Sequence, residues 1–159
     1  MIRLAKSVYM IALSFWVGSI FFLSTVVART VFETLPRQEA GNLIAAVFDS
    51  YYPLQYICAV ILIIAGLYMS FRDETFYKSR WFLRTVIVIA MLIITLFAGI
   101  YIRHDAVTAK NIMNSANTDT QLYADAENKF RSYHRDSVVA NGLVFLLGIV
   151  MLIHVSNKD

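Results

Sequence analysis

His134, Ser137 and Asn141 follow one another at steps of three and four residues, a spacing that sets three hydrogen-bonding side chains on one helix face. At about 100° per residue they point within roughly 60° of one another. An imidazole, a hydroxyl and a carboxamide aligned in this way can hold a polar ligand or bond to a neighbouring helix. No nearby constellation supplies nucleophile, acid and base together. Arg29 stands one turn before Glu33, so the two can pair, and an exposed pair of that kind contributes little energy. His104, His134 and Cys58 are the weak candidates for a metal or haem, since imidazole and thiolate are common ligands. If the chain reverses near Ser115 and Ala116, His104 and His134 differ in height by roughly 10 Å at 1.5 Å per residue. A shared ion does not suit that geometry. A nucleotide-binding glycine loop, His-Glu-x-x-His, paired cysteines and Gly-x-Ser-x-Gly are all missing from the sequence, so nothing in it demands catalysis.

The elements that must position these residues are four apolar stretches, Ser7–Ala28, Ser50–Phe71, Thr85–Ile102 and Ser137–Asn157, none of which contains Asp, Glu, Lys or Arg. A bilayer's hydrocarbon is crossed by about 20 such residues. The expectation is therefore an all-α fold, one four-helix transmembrane bundle over residues 1–159 with the lipid bilayer as its first partner. With 58% hydrophobic and 16% charged residues the chain is too apolar for an ordinary soluble surface. Its net charge of +3 is scattered over span ends rather than gathered in a patch, which argues for membrane topology and against nucleic acid. Cys58 is the only cysteine, so no internal disulfide forms, and within an apolar span it reads as a small packed side chain.

Span one offers Ser7, Ser14, Gly18 and Thr25 as a small, weakly polar seam that could receive the His134, Ser137 and Asn141 stripe of span four. Interhelical packing is the ordinary use of such residues and takes precedence. The alternative is a polar pocket opening outward, bordered by Arg29, His134, Ser137 and Asn141. Arg3, Lys6, Arg72, Lys78, Arg80 and Arg84 fall on one side of the membrane, opposed only by Asp73 and Glu74. The other side carries Arg29, Arg37, Arg103, Lys110, Lys129, Arg131 and Arg135 with eight acidic residues, Asp119 among them. Much of that second set lies in a long loop, where the positive-inside rule weakens, so both termini are expected in the cytoplasm. A compact chain with no targeting peptide fits a bacterial inner membrane.

Leu35 and Pro36 break the first helix, and Ala40, Leu43, Ile44, Val47 and Phe48 mark a short amphipathic helix lying on the outer surface before span two begins at Pro53. Helical periodicity continues past span three through Ala106, Val107, Ala109, Ile112 and Met113, and leads back into span four through Leu122, Ala126, Phe130 and Tyr133. Asn114 to Asn117 is the turn signal, and Thr118 with Gln121 has capping-box spacing. Spans three and four thus form a helical hairpin extension outside the membrane, with Arg103 and His104 facing Glu127, Asn128 and Arg131.

Trp16 to Ser19, Val27 to Phe32, Leu35-Pro36, Ala40-Gly41, and Phe48 followed by Tyr51-Tyr52, together with His134, Ser137 and Asn141, resemble the transmembrane protein 205-like family. The resemblance implies a four-helix integral membrane protein of no settled activity. A more distant similarity is to copper-resistance D proteins and to haem-pathway protoporphyrinogen oxidases. Those oxidases carry a histidine in their first span, and this chain has none there, which argues against haem. The sequence thus reads as a non-enzymatic accessory protein without a cofactor, assembling as a homo-oligomer or within a larger membrane complex. The alternative is a redox, haem or copper-handling protein with ligands on its outer half, and a third is the binding of a lipid or small apolar ligand near Arg29 and His134.

Overall fold

A computed structural model describes residues 2–72, 80–118 and 120–158. Among them four helices are long and apolar enough to cross a membrane: α1 (Ile2–Thr34), α2 (Arg37–Ser70), α3 (Arg80–Ser115) and α4 (Gln121–Lys158). At 1.5 Å per residue each is roughly 50 Å long or more, against about 30 Å of hydrocarbon, so each projects well beyond it. Charged residues bracket the apolar part of each helix, as Lys6 and Arg29 do in α1 and Arg84 and Arg103 do in α3. Arg29, Asp49, Arg103 and His134 thereby come to about one level, the hydrocarbon boundary on the hairpin side. Asp73, Glu74, Lys78 and Asp119, which enter the orientation count, lie outside the described residues.

The bundle's core is a stripe from every helix. Tyr9, Leu13, Trp16 and Ile20 supply α1's share, Ala59 and Leu62 that of α2, Val88 and Met91 that of α3, and Val144, Met151 and Val155 that of α4. These positions recur at three and four residues, while Phe15, Ile64, Ile93 and Leu146 stand exposed on the opposite faces. Large apolar side chains facing outward on all sides are what a lipid-embedded bundle presents. At the terminal end Arg84 is fully buried, its guanidinium 4.2 Å above the Trp81 ring and donating to the His154 carbonyl at 3.2 Å. Tyr9 meets the same Trp81 edge-on at 5.4 Å, so one cluster ties α1, α3 and α4 together. Arg84 thus does more than add positive charge to a loop.

Three sequence expectations change. Leu35 is extended, at φ −115° and ψ 149°, as a residue before proline must be, but α2 then runs unbroken from Arg37 through Pro53 to Ser70. The amphipathic stretch is therefore the first part of α2 and not a separate surface helix. Pro53 removes only the bond to the Asp49 carbonyl, and the surrounding stack of Phe48, Tyr51, Tyr52 and Tyr56 holds the turn together. α3 ends at Ser115 and α4 begins at Gln121, and the cap is Thr120, whose hydroxyl accepts from the Tyr123 amide at 3.3 Å, not Thr118 with Gln121. Arg103 turns inward to pair with Asp49 of α2, and Arg131 pairs with Glu127 of its own helix at 2.7 Å.

The small-residue seam also changes face. Ser7, Ser14, Gly18 and Thr25 are exposed, because α1 turns its bulky face, Tyr9, Leu13 and Trp16, into the bundle. Ser7 and Thr25 satisfy their hydroxyls on the carbonyls four residues back, at 3.1 and 2.7 Å. Close approach of α1 and α4 rests instead on Gly148, where an added Cβ would stand 2.4 Å from Val17. Val17 is buried and β-branched, so it cannot swing aside. Gly148→Leu is expected to lower stability by about 1–3 kcal/mol through overpacking. Gly18→Leu, with nothing of the same chain within 4 Å, is expected to leave the thermal midpoint of the detergent-solubilised monomer unchanged. Equal behaviour of the two variants in that measurement would contradict this packing.

Candidate functional site

Beyond Leu23 helix α1 contributes no fully buried side chain, and residues Leu23–Val27 form a π-helical turn, a wider turn that re-aims the remainder of the helix. From that point a crevice of about 700 Å³ opens between α1 and α4, backed by α2. Its floor is Phe21 stacked on Phe145, ring centroids 6.3 Å apart. Its walls are mainly apolar, with Ile20, Leu23, Phe48 and Val138 among them, interrupted by Ser24, Thr25 and Asn141, and its rim carries Arg29, His134 and Ser137. Phe21 and Val138 are both more than half exposed, so the mouth faces sideways between two helices toward lipid.

A second chamber of about 320 Å³ lies beneath the hairpin, between the first half of α2 and the projecting parts of α3 and α4. It shares Phe32, Ile44, Phe48, His134 and Ser137 with the crevice, so the two are neighbours across one wall. Arg103, Lys110 and Arg131 line it, and among the described residues neither chamber is lined by Asp or Glu. α3 reaches this position through a second π-helical turn, Phe97–Ile102, and lies close to α2 because an added Cβ at Gly99 would come within 2.8 Å of Tyr52.

Arg29, His134, Ser137 and Asn141 all line the crevice, together with Thr25. Asn141 is fixed there: its Oδ1 accepts from the Tyr51 hydroxyl at 3.2 Å and its Nδ2 donates to the Ser137 carbonyl at 3.0 Å. Part of the polar stripe therefore bonds to α2, not to α1. His134 is exposed and stacks on Phe130, and Arg29 pairs with Glu33 at 2.7 Å. Ser7, Ser14 and Gly18 line neither chamber. His104 is exposed on the hairpin, Cys58 is buried in α2, and both lie away from the chambers. Among the described residues no three His, Cys, Asp or Glu side chains converge on a metal position.

Lys110 is the group that sequence reasoning missed. It sits seven residues after Arg103, on the same helix face, and four after Ala106, a placement that periodicity could have flagged. Its ammonium packs toward Gly41, where an added Cβ would lie 3.5 Å from Nζ. Burial holds its pKa below the usual lysine value, and among the described residues it has no acidic partner. The polar groups here are donors and cations, an arrangement that can hold an anion beside an apolar chain. A lysine with a lowered folded-state pKa binds its proton more weakly folded than unfolded, so its contribution to stability improves as pH rises toward 10.5. Lys110→Met is accordingly expected to raise the thermal midpoint at neutral pH and to remove that alkaline gain. A lower midpoint for the variant would show that the ammonium is compensated.

No curated protein and no solved structure matches the chain. The resemblance to the transmembrane protein 205-like family gains no support from these comparisons. A family model does match residues 11–115, from the middle of α1 through Arg29, Lys110 and the end of α3, and stops short of His134, Ser137 and Asn141. By that match the chain belongs to the family defined by the domain of unknown function DUF4149.

Proposed function

We propose that this protein is a non-enzymatic, multi-pass membrane protein that binds a lipid of the surrounding bilayer, with the lipid's hydrocarbon chain in the crevice between α1 and α4. The observation that carries this reading is the crevice itself, mainly apolar within, charged at one end and open sideways. Its depth matches one leaflet. From His134 at the rim to Phe145 at the floor is about 16 Å along α4, and half of the hydrocarbon thickness is about 15 Å. Its volume of about 700 Å³ lies within the range of small-molecule sites. Positive charges at the termini and in Arg72, Arg80 and Arg84 support a cytoplasmic position for both ends, which opens the crevice to the outer leaflet of a bacterial inner membrane.

A second element of the reading is self-association. Ser7, Ser14 and Gly18 form an exposed small face that this chain does not use, and small faces let helices approach closely in lipid. Because Cys58 is buried and the only cysteine, Ser14→Cys gives a clean probe: oxidation in native membranes is expected to yield a linked dimer. Monomer alone would remove this element.

Gly142 borders the crevice, and an added Cβ there meets nothing within 4 Å, so Gly142→Trp fills the space without disturbing the fold. Mass spectrometry of the purified variant is expected to show co-purifying lipid reduced to a small fraction of wild type. Leu146→Trp, on an exposed face outside the crevice, retains it. Equal lipid in both variants would refute the binding site.

A further inference from the structure

The chamber beneath the hairpin has a cationic lining that an apolar chain does not need. We infer that it is the headgroup site for an anionic phospholipid, with Lys110 supplying the charge that selects it. This rests on the crevice reading, because the lipid that enters the crevice is the one whose head reaches the chamber.

A hydrocarbon chain gains little by leaving the bilayer for a crevice equally apolar. Any preference between lipids must therefore arise at the polar end. There the charges divide unequally. Arg103 is matched by Asp49, Arg131 by Glu127 and Arg29 by Glu33, each in an ion pair. Of the Lys and Arg side chains lining the two chambers, Lys110 is the one without a carboxylate among the described residues. One uncompensated positive charge, partly withdrawn from water, suits one net negative charge. A zwitterionic head brings its own ammonium into the same field and gains less.

Height agrees with this assignment. Arg103 and His134 lie at the hydrocarbon boundary, and Lys110 is about 10 Å further out at 1.5 Å per residue. The polar zone of each leaflet is roughly 5–8 Å deep, so a phosphate in the chamber lies between the two levels. The shared wall at Phe32, Phe48 and Ser137 is where the glycerol backbone of such a lipid would pass from chamber to crevice. The depressed pKa of Lys110 has the same origin, since burial without a counter-charge penalises the ammonium.

The test uses the full-length protein in neutral detergent, with phosphatidylglycerol and phosphatidylcholine of identical acyl chains as probes and native mass spectrometry of the bound lipid as readout. Phosphatidylglycerol is expected to bind about fivefold more tightly, the attraction of roughly one basic residue for an anionic lipid. Lys110→Met should abolish that preference and leave phosphatidylcholine binding as it was. Inorganic phosphate at millimolar concentration should not displace the lipid. Equal binding of the two lipids, a preference surviving in Lys110→Met, or displacement by phosphate alone would each overturn the headgroup assignment. Equal binding that Gly142→Trp abolishes overturns the headgroup site alone, whereas wild-type binding of neither lipid overturns the crevice reading with it.

Discussion

Hydrocarbon offers no partner to a peptide group, so each amide and carbonyl inside the membrane must be satisfied by the chain itself. The helices are the result of that requirement. So is the fate of the hydroxyls: Thr25, Ser70, Thr85 and Thr95 each donate to the carbonyl four residues back, at 2.7 to 2.9 Å. The same demand is met on one side of a glutamine in the core, whose Nε2 finds an acceptor while its Oε1 has no hydrogen-bond partner among the described residues. Gln55 is buried, its amide donating to Ser19 at 2.8 Å, and Ser19 donates in turn to the Trp16 carbonyl at 2.8 Å. The chain departs from helix at Leu35 and Pro36, beyond Arg29 and therefore outside the hydrocarbon.

Because lipid tails are as apolar as leucine, hydrophobicity cannot decide which face of each helix turns inward. Shape decides it. Tyr9 and Trp16 are large and fully buried in the bundle, and Gly66 and Gly148 remove the side chains that would hold Thr85 and Val17 away. Packing of this kind is continuous over the half of the bundle near the termini, where Arg84, Trp81 and Tyr9 close it. It fails between α1 and α4 once the π-helical turn at Leu23–Val27 has passed, and the crevice is the space where that packing ends.

This division accounts for what the sequence revealed. Four spans, the hairpin and the Leu35-Pro36 break depend on local rules, namely charge-free runs, helical period and proline geometry, and these can be read residue by residue. The grouping of His134, Ser137 and Asn141 with Arg29 was legible for the same reason, since two of its distances are fixed by one helix. Rotation of one helix against another was not. Ser14 and Gly18 resemble a packing seam, and only the competition with Tyr9, Leu13 and Trp16 turns them outward. Nor could the continuity of α2 through Pro53 be foreseen, because the aromatic stack that sustains it joins rings from successive turns. The pairing of Arg103 with Asp49 of α2 instead of α4 likewise joins residues 54 apart, which no local rule relates.

The paired arginines and the solitary lysine then have different physical roles. An exposed ion pair such as Arg29 with Glu33 is worth about 0–1 kcal/mol, and its field beyond a few ångströms is that of a dipole. Such pairs mark the membrane boundary without selecting what lies against it. Lys110 keeps the field of a full charge, and neighbours such as Phe130 and Val107 exclude some of the water that would screen it. The Phe21 and Phe145 pair lies at the other end of the crevice, so its charged end and its aromatic end are set apart along α4.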